Sequence, residues 1–204
     1  MQASPPAWTD NAALAAVDIA CRRGDRLLFR GVGFALNPGE ALHLAGPNGI
    51  GKSSLIRILA GLLRPFAGSV ERTGAAALLD ERPALDPQWP LGKALAFWAG
   101  LDGASAPARE EALARLGLAR LLDVPVRYLS TGQKKRAALA RVIGQQAPLW
   151  LLDEPLNGLD RDAVALVEVL VADHCAAGGI AVIASHQPFA LAGLVRCELE
   201  RHVP

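Results

Sequence analysis

Residues 46–53 of the chain read Gly46-Pro47-Asn48-Gly49-Ile50-Gly51-Lys52-Ser53. The run fits the pattern G-x-x-x-x-G-K-[ST], in which glycines let successive backbone N–H groups wrap around phosphate oxygens. An apolar run at 41–45 precedes it and a helix-like pattern at 54–63 follows it, so the run joins a strand to a helix. We therefore predict a phosphate-binding loop from Gly46 to Ser54, with Lys52 reaching the β- and γ-phosphates and Ser53 holding Mg²⁺.

Three further runs, at residues 75–79, 149–152 and 180–184, are almost continuously apolar. Such runs are typical of strands buried on both faces, and here they alternate with helix-like stretches. The pattern predicts an α/β domain with a mostly parallel core sheet. Because open α/β sheets bind ligands beyond the carboxyl ends of their strands, we expect the reactive groups to lie along one edge.

The stretch from Gly92 to Tyr128 differs from its surroundings, because it is rich in Ala, Leu and Arg and its leucines have helical spacing. Glycine and proline residues interrupt it at several points. We predict a small helical subdomain, about residues 92–145, inserted in a single domain that spans residues 1–204.

Composition argues against several classes of protein. The chain has 204 residues, 51% of them hydrophobic, which is enough for one compact domain with a sizeable core. Its 21 basic and 20 acidic residues nearly cancel, which argues against a nucleic-acid partner. No apolar run reaches the roughly 18 residues that a membrane-spanning helix needs. Residues 1–10 lack the features of a secretory signal, so we expect a cytoplasmic protein.

The three cysteines, Cys21, Cys175 and Cys197, are widely scattered and form no C-x-x-C pair. This spacing argues against both a disulfide framework and a zinc site. We interpret them as incidental thiols.

Two adjacent carboxylates, Asp153 and Glu154, follow the apolar run at 149–152. Such strand ends often only face solvent, so the pair is a weak signal when taken alone. Combined with a phosphate-binding loop it suits nucleoside triphosphate hydrolysis, because Asp153 can support the metal and Glu154 can polarise the attacking water.

A helix-like run at 134–143 follows the residues Ser130, Thr131, Gly132 and Gln133. Ser130 or Thr131 is placed to cap this helix and to offer N–H groups to an anion, although an ordinary capped helix has the same pattern. We interpret the basic run at 134–136 as a solvated start of the helix, with a phosphate-binding role as the lesser alternative.

The run Leu129-Ser130-Thr131-Gly132-Gln133, placed shortly before the Asp-Glu strand, resembles the signature motif of ABC ATPases. The resemblance implies an ABC-type P-loop nucleotide-binding domain, with a mostly parallel core sheet, an antiparallel β part near the N-terminus and a small inserted helical subdomain. It also implies that ATP and Mg²⁺ bind, that Asp160 belongs to the D-loop and that His186 hydrogen-bonds the γ-phosphate. A lone histidine after a strand is otherwise an ordinary loop residue, but its context here favours the functional interpretation.

Within that class, the chain resembles the ATP-binding subunits of heme exporters that serve c-type cytochrome biogenesis. The residues that carry the resemblance are Cys21-Arg22-Arg23-Gly24, Leu28-Phe29, Pro38-Gly39-Glu40, Ala60-Gly61-Leu62-Leu63-Arg64-Pro65, Pro148-Leu149-Trp150-Leu151-Leu152-Asp153-Glu154-Pro155 and Ser185-His186-Gln187-Pro188. It implies a homodimer or pair of ATPase subunits, with each ATP held between one phosphate loop and the signature residues Ser130 to Gln133 of the other subunit. It further implies an integral membrane permease partner, other cytochrome c maturation proteins and a peripheral place on the cytoplasmic face of the bacterial inner membrane.

The sequence departs from the general ABC pattern at two places. The aromatic residue that commonly stacks on adenine is absent, and its place falls near Arg22 and Arg23, so we expect the Arg23 guanidinium to contact the base. The glutamine expected after the run at 75–79 is replaced by Arg82, with Gln88 the nearest glutamine. We expect Arg82 or Gln88 to line the γ-phosphate side.

Other functions remain open at this point. The chain could serve an ABC transporter with a different cargo, since the substrate does not touch this subunit. A non-transport ABC switch protein is a second alternative, but it is expected to show two cassettes, a long coiled coil or a basic surface, which this sequence lacks. A nucleotide-binding subunit with only a structural role is a third.

Overall fold

The four predicted strands and a fifth that the sequence analysis did not predict, Val195–Glu198, form one five-stranded sheet in the computed structural model, which describes residues 12–81 and 84–204. In chain order, the described strands and α-helices are β1 (Ala13–Arg23), β2 (Arg26–Leu36), β3 (Ala41–Ala45), α1 (Lys52–Leu59), β4 (Ala67–Thr73), β5 (Ala76–Leu79), α2 (Leu91–Asp102), α3 (Ala106–Arg115), α4 (Thr131–Gly144), β6 (Leu149–Asp153), α5 (Arg161–Ala176), β7 (Ile180–Ser185) and β8 (Val195–Glu198). Short 3₁₀ helices lie at Ala119–Leu121, Val126–Tyr128 and Leu199–His202.

The parallel sheet has the strand order β5-β6-β7-β3-β8, and every neighbouring pair in it is parallel. Ala45 at the end of β3 pairs with Ser185, and Asp153 at the end of β6 pairs with Ala184. The carboxyl ends of β3, β6 and β7 are therefore level. The segments that follow them meet at one edge, which confirms the predicted α/β class.

Both faces of this sheet are buried, as the continuous apolar runs predict. In β6, Leu149 and Leu151 pack toward β1, β2 and α1, while Trp150 and Leu152 pack toward α2 to α5. The first of these two layers contains an antiparallel sheet of order β2-β1-β4. The antiparallel part near the N-terminus is therefore present, and it supports the sheet beneath the phosphate-binding loop.

The helix after the phosphate-binding loop is shorter than the predicted run at 54–63, because α1 spans Lys52–Leu59. Gly61 adopts a φ of 77°, a left-handed conformation that a helix cannot continue through. The N–H groups of Leu62 and Leu63 both donate to the carbonyl of Arg57. The apolar residues beyond Leu59 thus belong to a turn, although their periodicity extends the helical pattern.

Helices α2, α3 and α4 lie between β5 and β6 in the chain and pack on one another. Arg141 of α4 forms an ion pair with Asp102 at the end of α2, with Nε 3.2 Å from Oδ2. The same guanidinium lies 3.6 Å from the ring centroid of Trp98. These helices fall almost wholly within residues 92–145, the region that the sequence analysis assigns to an inserted helical part. Among the helices in the described ranges, none is both long and apolar enough to cross a membrane.

Candidate active site

The loop between β3 and α1 lines a pocket of about 370 Å³ at the carboxyl edge of the sheet. Gly51 has a φ of 115°, and a β-carbon there would lie 2.9 Å from the Phe29 ring, so this position requires glycine. Gly46 and Gly49 also have positive φ angles, 145° and 81°. The residues lining the pocket are Leu28, Asn48, Gly49, Gly51, Lys52, Ser53, Ser54, Glu81, Glu154 and Asn157.

Lys52 is buried and its ammonium group lies inside the curve of the loop. Its Nζ donates to the carbonyl oxygens of Gly46 at 2.7 Å and Pro47 at 3.1 Å. The same atom lies 3.2 Å from Oε1 of Glu154. A positive charge is thus held at the head of a loop whose geometry suits phosphate oxygens.

Asp153 ends β6 and is almost completely buried, with 2% of its surface exposed. Burial raises the pKa of its carboxyl group, and a hydrogen bond with the Ser53 side chain opposes that rise. Its Oδ1 atom has no hydrogen-bond partner. A buried carboxylate with an unused oxygen next to a hydroxyl group fits a divalent cation with oxygen ligands.

The residues described do not contain a cluster of three or more His, Cys, Asp or Glu side chains that could hold a metal ion. Mg²⁺ is usually bound through one or two carboxylate or hydroxyl groups together with phosphates and water, and Asp153 and Ser53 offer one of each.

Glu154 is held from several sides. Its carboxylate accepts from Nδ1 of His186 at 3.0 Å and lies next to Lys52. Its backbone N–H donates to Ala184 O at 2.8 Å, and its φ of 46° is unusual for a residue with a side chain. Because the carboxylate is only an acceptor, His186 carries its proton on Nδ1 here. The structure therefore brings Lys52, Asp153, Glu154 and His186 together.

The signature residues lie at the start of α4 and do not line the pocket at the carboxyl edge, here called the phosphate pocket. Ser130 caps the helix by accepting from Gln133 N at 3.2 Å, and the Gln133 side chain accepts from Ser130 N at 2.8 Å. Ser130 and Thr131 are exposed. Asp160 caps α5 in the same manner, with Oδ1 accepting from Ala163 N at 2.8 Å.

Residues 29–157 match the sequence profile of the ABC transporter family. The chain is 65% identical over 178 residues to the cytochrome c biogenesis ATP-binding export protein CcmA of Novosphingobium aromaticivorans, covering 87% of this chain and 91% of that protein. The corresponding protein of Zymomonas mobilis is 50% identical over 193 residues, covering 95% of this chain and 87% of that protein.

The chain belongs to the CcmA family of ABC ATP-binding proteins. Its fold is also similar to that of a solved metal-chelate type ABC transporter in an inward-facing conformation, with a TM-score of 0.76 at 25% identity over 93% of this chain and 80% of that one. It is an ABC-type ATPase. The recognised family is the one that the sequence motifs predict.

In this CcmA-family chain the basic run at 134–136 is not a solvated start of α4, contrary to the sequence-based expectation. Lys135 is only 6% exposed, and its Nζ donates to the backbone oxygen of Glu154 at 3.0 Å. Arg136 donates to Leu116 O at 3.1 Å and is half-buried. A helical stripe through Lys135, Leu139 and Val142, all buried, is the sequence signal that could have indicated an inward-facing lysine.

Arg23, which the sequence analysis expects to contact the base, does not line a pocket beside the phosphate loop. An open pocket of about 470 Å³ beside the phosphate loop is lined by Arg26, Leu28, Pro47, Asn48, Gly49, Ile50, Glu200 and Val203. Arg23 pairs with Arg26 across the β1–β2 turn but is exposed and does not line this pocket. Arg22 lies over the Phe66 ring, 4.7 Å from its centroid. Of the paired arginines Arg23 and Arg26, it is therefore Arg26 that lines the pocket beside the loop.

The two candidates for the missing glutamine have different outcomes. Arg82 lies outside the described residues. Gln88 is exposed, its side-chain oxygen accepts from Arg127, and it does not line the phosphate pocket. Glu81, which follows β5, does line the phosphate pocket. The sequence analysis did not predict this residue, because the ABC pattern has a glutamine in this region.

Proposed function

We propose that this chain is the ATP-hydrolysing subunit of a heme exporter that serves c-type cytochrome biogenesis. The observation that carries the proposal is Glu154, a buried carboxylate in a left-handed conformation between Lys52 and His186. The names of its curated relatives support the role in cytochrome c biogenesis and export.

ATP hydrolysis requires a water molecule to attack the γ-phosphorus while the bond to the β–γ bridging oxygen breaks. Glu154 accepts the proton of that water, and His186 holds the Glu154 carboxylate in place through its Nδ1–H. Lys52 exchanges its loop carbonyl partners for β- and γ-phosphate oxygens. When bound through Ser53 and Asp153, Mg²⁺ supplies positive charge that neutralises the phosphates.

The exposed signature residues support a paired assembly. Ser130 and Thr131 lie on the surface at the N-terminal end of the 14-residue helix α4, and they do not line the phosphate pocket of their own chain. A helix N-terminus favours anionic groups. Each ATP is therefore held between one subunit's Gly46–Ser54 loop and the other subunit's Ser130 to Gln133.

Arg26 and Glu200 suit the base end of the nucleotide in this chain, which has no aromatic residue at the expected place. The Arg26 guanidinium can stack on adenine, and the Glu200 carboxylate can accept a hydrogen bond from an amino or hydroxyl group. Leu28 lines both pockets and so lies between the base and the phosphates.

A groove of about 360 Å³ supports docking of a membrane partner of the CcmB type. Its lining comes from the end of α1, from β5 and from α4, and includes Leu62, Asp80 and Arg141. Leu62 is 68% exposed, and Leu101 of α2 is 65% exposed. Because Asp80 in this groove directly precedes Glu81 in the nucleotide pocket, a partner seated here is close to the phosphates. In this proposal the chain lies on the cytoplasmic face of the bacterial inner membrane, next to that partner.

The test uses cells that lack this chain and are complemented with wild type, Lys52→Ala or Glu154→Gln. Heme-stained gels should show c-type cytochromes with the wild type only. Purified Glu154→Gln should retain ATP binding and lose turnover. Normal cytochromes in cells without the chain would instead favour an ABC transporter with another cargo.

A further inference from the structure

Lys135 is a buried cation on the signature helix α4, and its contact is with the catalytic carboxylate's own backbone. Its Nζ donates to Glu154 O at 3.0 Å, across 19 residues of sequence. A buried ammonium is unfavourable unless it is paired and hydrogen-bonded. Four carboxylates interact favourably with it, those of Asp153, Glu81, Glu154 and Asp80.

The acceptor is the backbone of a residue in an uncommon conformation. The φ of 46° at Glu154 is unfavourable for a residue with a side chain and persists only where the surroundings hold it. Ala184 O accepts from the Glu154 N–H, while the Glu154 oxygen accepts from Lys135 Nζ and from Asn157 N at 3.3 Å. Lys135 is therefore the contact that joins this strained backbone to α4.

We propose that Lys135 is a positioning residue for ATP hydrolysis, which holds the Glu154 backbone so that its carboxylate points into the phosphate pocket. The inference rests on the proposed role of Glu154 in hydrolysis. Since Lys135 lies only five residues after Ser130, it also links the start of the signature helix to the catalytic carboxylate of the same chain. A displacement of α4 is thereby transmitted to Glu154.

A purely structural lysine would contribute only to folding, so turnover must be separated from stability. Lys135→Met keeps the length and the apolar stem but removes the donor, and Lys135→Arg restores a charged donor. The matched control is Lys134→Met, because the neighbouring Lys134 contacts Arg127 O at 3.4 Å and not Glu154.

The variants are compared as full-length chains assembled with their membrane partner. We expect Lys135→Met to lower kcat roughly 10- to 100-fold with little change in the KM for ATP, because a displaced catalytic group affects the reaction step. Lys135→Arg should recover much of the loss, and Lys134→Met should stay within about twofold of wild type. If Lys135→Met does not fold, Lys135→Gln, which keeps an amide donor, is compared with Lys135→Leu.

A wild-type kcat in Lys135→Met would overturn the inference. So would a decrease in kcat that is fully explained by a smaller fraction of folded protein, as judged from the Tm. Adding Lys135→Met to Glu154→Gln should cause no further loss of residual turnover, since Lys135 acts through Glu154. If the two substitutions reduced turnover independently, so that their effects multiplied in the double variant, Lys135 would not act through Glu154. A fully active Glu154→Gln would instead remove the proposed function itself.

Discussion

Gly158, two residues before the predicted D-loop residue Asp160, packs directly against Thr131 of the predicted signature motif in the same chain, so that a β-carbon on Gly158 would lie 2.8 Å from Thr131 Cγ2. On the other side of this contact, a β-carbon on Gly132 would lie 3.3 Å from Gly158 O. The two motifs therefore form one packed surface. Movement of one requires adjustment of the other.

Gly158→Ala should destabilise the fold beyond the cost of its backbone conformation alone. The φ of 77° costs an alanine about 1 kcal/mol, and the overlap with the Thr131 methyl group adds to it. Urea unfolding measures the loss. Thr131→Ser, which removes that methyl group, should recover part of it in the double variant.

The control for this contact is Gly193→Ala, because Gly193 has a similar φ of 74° and a β-carbon there would have no neighbour within 4 Å. The decrease in the free energy of unfolding of Gly193→Ala should equal the cost of the backbone conformation alone. Equal losses for Gly158→Ala and Gly193→Ala would mean that the contact with Thr131 contributes nothing.

Arg26→Ala should raise the KM for ATP about tenfold, which corresponds to the roughly 1.4 kcal/mol of one stacking contact. Both arginines are exposed, but Arg26 lines the pocket beside the phosphate loop and Arg23 does not. Arg23→Ala is the matched control and should change the KM little. The reverse result would restore Arg23 as the base contact that the sequence analysis predicts.

Asp153→Asn should abolish the part of the thermal stabilisation that Mg²⁺ adds to ATP. Without metal, the same variant should be more stable than wild type near pH 8, because burial raises the pKa of this carboxyl group and so disfavours its ionised form. The difference should shrink as the pH falls and the wild-type carboxyl becomes protonated. Asp123→Asn, at an exposed position, should behave like wild type. Undiminished Mg²⁺ stabilisation in Asp153→Asn would contradict the metal assignment.

His174 should make the fold sensitive to acid. Its ring stacks on Trp150 with centroids 4.0 Å apart, and burial lowers its pKa from 6.5 to about 4. The unfolded chain therefore takes up a proton at higher pH than the folded chain. The resulting stability is present above pH 6.5 and is lost as the pH falls toward 4, by about 3 kcal/mol.

The measurement is the free energy of unfolding of wild type and His174→Gln between pH 8 and pH 4. The variant should lose less stability over this window, because the glutamine side chain does not titrate. Parallel curves for wild type and His174→Gln would contradict the assignment.

Features that depend on local sequence were predicted correctly, whereas features that depend on distant contacts were not. The strand ending at Asp153 was predictable because two-sided burial requires an unbroken apolar run, and the Gly46–Ser54 loop because phosphate wrapping requires glycines at fixed spacing. The end of α1 at Leu59 was mispredicted, since apolar periodicity continues past the left-handed Gly61. The sequence alone does not show that a glycine has a positive φ, because its φ depends on the hydrogen bonds that the following residues form.

The sequence by itself determined the class of this protein, the parallel sheet and the residues that meet at its carboxyl edge, because these follow from short-range patterns and from strand ends that must lie level. Only the tertiary structure decided that Arg26 faces the phosphate loop and that Lys135 faces inward to Glu154. The physical reason is that the direction of a side chain depends on how its element rotates against a distant neighbour. For Lys135 that neighbour is the end of β6, and only the packing of α4 on the sheet brings the two together.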